Sequence, residues 1–259
     1  NCEAYELTRY FRRWLPDHQP ILEAGSGSGR WVAWFMVQGW RAFGVDWSHL
    51  LCARAREHVP GTRFIQGDVR ALPFVDGSYG TVIALGAVEH GLDGREAALQ
   101  EFRRVVRPGG IVIVTVPFLG PVRRVIRAVK LPLRALREAW RFRQVAHETP
   151  RKTSWRSERR AGVQGWAMDL MQTDSGWAFF QYQFDRRQMR QQIARAGLRI
   201  VEEFIEFADE GILHNFRPLA GRYDSNNGRV IFTPFGKLLR RVLPVNLAGH
   251  MLCYVLIRD

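Results

Sequence analysis

Three glycines fall within five residues in "GSGSG" at 25–29, directly after the apolar pair Ile21-Leu22 and its followers Glu23-Ala24. Glycine is required in a strand-to-helix turn where the backbone takes a positive φ or where another group comes close. The pattern predicts a short buried strand over 21–24, a tight turn, and a helix over 31–37. The rhythm then repeats. Strands are expected at 42–46, 63–66, 81–85 and 111–116. Helices are expected from Ser48, a natural N-cap, to about 58, and from about 95 to 106, with "RPGG" at 107–110 stopping that helix and turning the chain. A further helix over 3–15 precedes the first strand. Strands alternating with helices mean an α/β fold, a parallel sheet covered on both faces. Ligands bind such sheets at the carboxyl ends of the strands, near the point where strand order reverses.

After Pro117 the rhythm breaks. Residues 118–182 read as a long insertion rich in arginine and tryptophan, followed by a helix over 185–196 and a strand over 199–207. Residues 208–249 read as irregular, with a short basic helix near 237–243, and 251–257 as a final strand. The expectation is one domain over 1–259, with a cap at 118–182 and a second, smaller insertion at 208–249.

The chemistry starts at the glycine turn. A phosphate-binding P-loop needs a lysine that is not there, and a dinucleotide loop needs a third glycine where Arg30 stands. Glu23, two residues before the first glycine, would repel a pyrophosphate and attract an ammonium. The turn therefore suits a cationic or zwitterionic ligand, or is a tight turn and nothing more. Asp46 ends the second strand, where a carboxylate can accept both hydroxyls of a ribose; it could also only cap the next helix. Asp68, in "QGDVRALPF", follows the third strand, where it can accept the exocyclic amine of an adenine with Val69 against the ring.

Together "ILEAGSGSG" (21–29), "FGVDWS" (43–48), "GDVRALPF" (67–74), "ALGAVEH" (84–90) and "RVVRPGG" (104–110) resemble a class I S-adenosylmethionine-dependent methyltransferase of the type 11-like group. The segment "FDRRQMRQQIARAGLRIVEE" (184–203) resembles that family's last helix and sixth strand, and 251–257 would be its antiparallel seventh. The resemblance implies a Rossmann-like seven-stranded sheet and S-adenosylmethionine as cofactor. It implies that Glu23, Gly25, Ser26, Gly27 and Gly29 hold the methionine end, Asp46 the ribose, and Asp68 with Val69 the adenine, with Leu85 and Gly86 beside the sulfonium and Trp47 also among the cofactor-binding residues. Caps after strand five in this family usually select the substrate.

Glu89-His90 follow the fourth strand. His90 is either a general base or a histidine that pins the loop; Glu89 is the second catalytic candidate. Glu89, His90 and Asp93 are too sparse for a metal centre, although some quinone-pathway O-methyltransferases that this segment resembles use metal. No metal is assigned.

Net charge is +13, and 35 of the 38 bases are arginine, lysine occurring only at 130, 152 and 237. Residues 119–160 carry eleven arginines and two lysines against three glutamates. Val122, Val125, Val129, Leu133, Leu136 and Trp140 form an apolar stripe at helical spacing. Arg123, Arg127, Lys130, Arg134, Arg137 and Arg141 form a basic stripe one position on, and Pro132 must interrupt or kink the helix. Such a segment over 119–145 reads as a helix lying on an anionic membrane, or as a lid with its arginines in water. Arginines interleaved with Trp155, Trp166, Trp177, Phe179, Phe180, Tyr182 and Phe184 also suit RNA, but RNA does not need a continuous apolar stripe. Three scattered cysteines, no signal-peptide pattern and no apolar run of spanning length predict a cytoplasmic protein, peripheral at the inner face of a membrane. The expected activity is methyl transfer to a small or lipophilic acceptor. The alternatives are an RNA methyltransferase and a non-catalytic module that keeps the cofactor fold for partner binding.

Overall fold

The computed structural model describes residues 2, 7–16, 18–91, 95–129, 155–159, 167–173, 176–224 and 228–259. The chain divides into two compact units, the first made of 1–117, 184–206 and 251–259, the second of 118–183 and 207–250. The two segments read as separate insertions thus form one unit.

The first unit is a seven-stranded sheet. In chain order its elements are α1 (Leu7–Trp14), β1 (Ile21–Ala24), α2 (Arg30–Val37), β2 (Ala42–Asp46), α3 (His49–His58), β3 (Phe64–Gln66), β4 (Tyr79–Leu85), a 3-10 turn (Val88–His90), α4 (Arg95–Val105) and β5 (Val106–Pro117). In the second unit, helix α5 (121–129) is followed by β6 (Trp155–Arg159), β7 (Ala167–Thr173) and β8 (Gly176–Gln183). The first unit closes with α6 (Arg186–Arg195), β9 (Arg199–Glu206) and β12 (Met251–Ile257). Between β9 and β12, in the second unit, lie α7 (Ala208–Phe216), β10 (Gly221–Asp224), β11 (Arg229–Phe232), α8 (Pro234–Val242) and α9 (Val245–Ala248).

The sheet order is β3-β2-β1-β4-β5-β12-β9. β1 runs parallel to both β2 and β4, and β12 is antiparallel to β5 and β9. The order therefore reverses between β1 and β4, which sets the carboxyl ends of these strands as the ligand edge. β1, β4 and the 111–117 part of β5 are buried along nearly their whole length, as expected for parallel strands covered on both faces. Local chemistry places the helices. Ser48 caps α3 through Leu51 N–H (3.3 Å), and Asp185 and Gln188 form a reciprocal capping box on α6.

Two readings of the sequence are corrected here. "RPGG" is not a free turn: the strand already begins at Val106, paired with Tyr79, and regular pairing resumes at Ile111 opposite Thr81. The extra residues bulge out, with Gly109 at φ +72° donating to the Arg258 carbonyl (2.7 Å) and Gly110 accepting from Arg258 N–H (3.1 Å). The backbone groups of this stretch thus find partners beyond β12. Residues 208–249 are not irregular. They carry two helices of nine residues and a hairpin around a small core of Ile212, Ala220 and Ala248, against which Phe216, Phe232, Leu239 and Leu243 pack.

The expectation for 119–145 is also reversed where it can be seen; 130–154 lie outside the described residues. On α5 Arg123 and Arg127 turn inward, and Val125 and Val129 turn outward. Arg123 is buried. Its Nε donates to Asn215 Oδ1 (3.3 Å), Nη1 to the Phe118 carbonyl (3.2 Å) and Nη2 to His250 Nδ1 (2.9 Å). Arg127 donates to Gln183 Oε1 (2.6 Å), and Gln183 in turn donates to Asp169 Oδ2 (2.7 Å). Val125 and Val129 are 64% and 56% exposed. Neither a lid with these two arginines in water nor a membrane helix presenting them to lipid matches this arrangement. The physical reason is that a buried guanidinium with several good acceptors can outweigh the burial of two valines.

The glycine turn supplies a direct test of the fold. Gly29 has φ +82°, and a Cβ there would lie 2.5 Å from the Phe64 ring; Gly27 has φ +54° with no heavy atom of the described residues within 4 Å of such a Cβ. Both alanine variants carry left-handed strain of about 1 kcal/mol, and only Gly29→Ala adds overlap worth about 1–3 kcal/mol. Urea unfolding is expected to show Gly29→Ala clearly less stable than Gly27→Ala.

Candidate functional site

The turn after β1 is tied to β2 by three hydrogen bonds. Gly25 N–H and Ser26 N–H both donate to the Val45 carbonyl (2.8 and 3.0 Å), and Gly27 N–H donates to Asp46 Oδ2 (2.8 Å). Gly25 sits at φ +80°, and a Cβ there would lie 2.6 Å from the Ala87 Cβ in the turn after β4. The loops after β1 and β4 therefore touch, and only glycine permits it. At Gly27 the space is open, as a surface that receives a ligand's backbone-close atoms must be.

Asp46 is buried. Its second oxygen, Oδ1, accepts Ser48 N–H (2.9 Å). Ser48 itself caps α3, so Asp46 serves the loop rather than the helix. A carboxylate has about four lone-pair sites, and the two backbone donors leave room for two hydroxyls. Trp47, next along, is exposed.

Glu23 is buried at the end of β1, where its Oε2 accepts Val32 N–H (3.1 Å) from the first turn of α2. That amide is one of the helix's unsatisfied N-terminal donors. Burial pushes the Glu23 carboxyl up to about 8, the Val32 bond and Arg30 opposing this and Asp46 adding to it. A ligand ammonium beside it would bring the charged form back.

Asp68 is half-exposed and already holds the guanidinium of Arg70, with Nε 2.9 Å from both oxygens and Nη2 2.6 Å from Oδ2; it also accepts Arg70 N–H (2.9 Å). Arg70 holds this carboxyl below the usual range, and an adenine amine would have to share it. Val69 is partly buried. The loop that carries this pair is clamped by Arg104, which donates to the carbonyls of Phe74 (2.7 Å) and Leu72 (2.9 Å), to Asp76 (2.8 Å) and to Glu101, while Glu101 Oε2 accepts Leu72 N–H (2.7 Å). Neither the Arg70 pairing nor the Arg104 clamp was read from the sequence. The two-residue spacing in "GDVR" hints at the first; nothing local signals the second.

β4 ends at Leu85, and Gly86 follows at φ +71° with its N–H on the Thr115 carbonyl (3.1 Å). A Cβ at Gly86 would lie 3.3 Å from Glu89 Oε1. Glu89 and His90, adjacent in sequence, are separated by the 3-10 turn: Glu89 is buried and His90 exposed. Burial pushes the Glu89 carboxyl up to about 8. Asp93 lies outside the described residues. Glu89 Oε2 and Ser26 Oγ are buried and find no hydrogen-bond partner among the described residues. Both belong to the loops that carry the implied cofactor residues, and such orphaned polar atoms fit a polar ligand placed there.

Residues 22–114 match the family model described as a methyltransferase domain. Curated relatives include a malonyl-[acyl-carrier protein] O-methyltransferase from Erwinia pyrifoliae, 35% identical over 42% of this chain and 41% of that protein. Another is a demethylmenaquinone methyltransferase from Renibacterium salmoninarum, 31% identical over 46% of this chain and 53% of that one. The chain thus matches about half or less of these relatives' length. A crystal structure of an S-adenosylmethionine-dependent methyltransferase from Mesorhizobium loti shares the fold, with a TM-score of 0.58 over the whole of both chains at 14% identity. The sheet order, the glycine turn and the 22–114 match agree: this segment matches the methyltransferase-domain family, and the chain has the Rossmann-like fold of S-adenosylmethionine-dependent methyltransferases.

Proposed function

We propose that the protein transfers a methyl group from S-adenosylmethionine to a small or lipophilic acceptor at a membrane surface. The observation that carries the reading is the convergence at the carboxyl ends of β1, β2 and β4: an open glycine turn, a buried Asp46 with lone pairs to spare, and a buried Glu89 oxygen with no partner among the described residues. Of the two relatives' names, the one that names demethylmenaquinone supports such an acceptor, whereas the other names malonyl-[acyl-carrier protein]. When bound, the cofactor supplies an electrophilic methyl group on a sulfonium.

In this reading the 25–29 backbone and Glu23 hold the amino-acid end, Asp46 beside Trp47 accepts the ribose hydroxyls, and Asp68 and Val69 receive the adenine. Leu85 and Gly86 line the wall beside the sulfonium. Positioning for in-line attack contributes much of the rate. Of the two acid–base candidates, Glu89 is the better supported. A buried carboxyl raised to about 8 is a strong enough base to take an acceptor proton near neutral pH, whereas His90 sits on the exposed side of the same turn. Mass spectrometry of small molecules retained by the purified protein identifies the acceptor class.

Calorimetry is expected to show Asp46→Ala weakening S-adenosylmethionine by about 1.5–3 kcal/mol, the scale of lost charge-assisted hydrogen bonds. Unchanged affinity in a folded variant removes Asp46 from the site. With an acceptor in hand, Glu89→Gln is expected to lower turnover roughly 10²–10⁴-fold with cofactor affinity kept, and His90→Ala to stay near wild type. The reverse order restores His90 as the base.

Glu89 also predicts a pH dependence of stability. Its folded value of about 8 lies above the ordinary 4.5, so the folded state binds more protons between the two. This contribution is complete below the unfolded value and is lost as pH rises toward 8, at up to about 1.4 kcal/mol per pH unit. Glu23 acts in the same direction. Thermal unfolding of the ligand-free protein is expected at lower temperature at pH 8 than at pH 6, and Glu89→Gln is expected to reduce the difference.

A further inference from the structure

Helix α8 covers the small core of 207–250 with only part of its apolar surface. Leu239 and Gly236 face inward, with Leu243 just past the helix end. Phe235, Leu238 and Val242 belong to the same apolar arc but are 43%, 56% and 58% exposed. At 100° per residue these three fall within about 60° of one another, beside the inward residues. Lys237 and Arg241 are exposed and border the stripe on its other side. Arg240 is taken by an ion pair with Asp209. No acid occurs in α8, and 219–245 hold five bases against Asp224 alone.

Phe235 leans edge-on against Phe216, ring centroids 6.4 Å apart, and stays partly exposed, while the helix itself is anchored from below. Thr233 caps it through Gly236 N–H (3.1 Å), and Pro234 opens it at a position where a missing N–H costs nothing. A Cβ at Gly236 would lie 1.9 Å from the Ala220 carbonyl, so the helix sits tight on its own core. Leu219 and Val245, exposed at the two ends of the same stretch, extend the apolar character beyond α8.

We infer that this face of α8 docks on an anionic lipid surface, with Phe235, Leu238 and Val242 entering the acyl boundary and Lys237 and Arg241 at the headgroups. The inference deepens the membrane-surface reading of the proposed function and moves its lipid contact from 119–145, where Arg123 and Arg127 are engaged internally, to the second inserted segment. Charge complementarity selects the occupant. An exposed aliphatic and aromatic stripe bordered by exposed bases, on a helix without an acid, is the composition that interfacial helices use, and each base near an anionic leaflet adds to binding.

The test is co-sedimentation of the full chain with vesicles of phosphatidylcholine alone and with roughly 30% phosphatidylserine. Binding is expected only to the anionic vesicles and to weaken as salt rises from about 50 mM, because the electrostatic part is screened. Replacing Phe235, Leu238 and Val242 together by serine is expected to reduce binding about tenfold or more. Lys237→Gln and Arg241→Gln are each expected to reduce it roughly fivefold and to flatten the salt dependence. Circular dichroism and S-adenosylmethionine calorimetry on the same variants check folding, and both are expected to match wild type. Arg123→Gln, by contrast, is expected to lower thermal stability without a change in salt dependence. The inference is overturned by wild type that does not pellet with anionic vesicles at low salt. It is overturned equally by folded stripe variants that pellet as wild type does, or by a stripe whose loss only converts a dimer to a monomer in sedimentation. Loss of cofactor binding in wild type would sink the proposed function and leave the vesicle result standing.

Discussion

One carboxylate holds the ligand edge of the sheet in shape. Asp46 accepts Gly27 N–H from the loop after β1 and Ser48 N–H from the start of its own loop, bridging two strands' exits through partly buried hydrogen bonds. The glycine turn cannot choose its conformation by itself, because glycine has many. The Val45 carbonyl and Asp46 choose it, and with it the direction in which α2 departs. The same tie brings Gly25 against Ala87, so the loop after β4 and its buried Glu89 are positioned by contacts that begin at β2.

The site concentrates unfavourable burial. Glu23 and Glu89 both lose hydration, and their carboxyls rise accordingly. Structural convenience alone would place apolar side chains there. The proposed cofactor and acceptor would give Glu23 and Glu89 work there, since perturbed carboxyls are suited to holding a cation and taking a proton. Support comes from outside the loops. Arg104, on α4, clamps the 72–76 segment through carbonyls and carboxylates, and so steadies the approach to Asp68 and Arg70.

The second unit handles charge in the opposite way from a simple amphipathic design. Burial lowers the Arg123 guanidinium to about 10 while Asp169 opposes the shift, and His250 and His214, stacked at 4.5 Å, are both pushed down by burial and by Arg123. This is a polar interior that specifies partners. The apolar side chains left outside, on α5 and α8, are those the unit's own core does not cover.

Much of the first unit was legible in the sequence. The strand and helix rhythm, the glycine turn and the acids at the strand ends follow from periodicity and turn composition, which act over a few residues. The roles of particular side chains were less legible. Neighbours such as Glu89 and His90 differ in burial only because a 3-10 turn rotates one inward. Helical spacing located two stripes on 121–129 but not which of them faces the core, since a periodicity defines a face and not its direction. That choice was made by Asn215, His250 and Gln183, 56 to 127 residues away in the chain, which offer Arg123 and Arg127 acceptors that valine cannot use. The sequence by itself determined where strands, turns and acids fall, because those are set by local sterics and hydrophobic pattern. Only the tertiary structure decided which charges are buried, because burial is decided by the partners that distant segments bring.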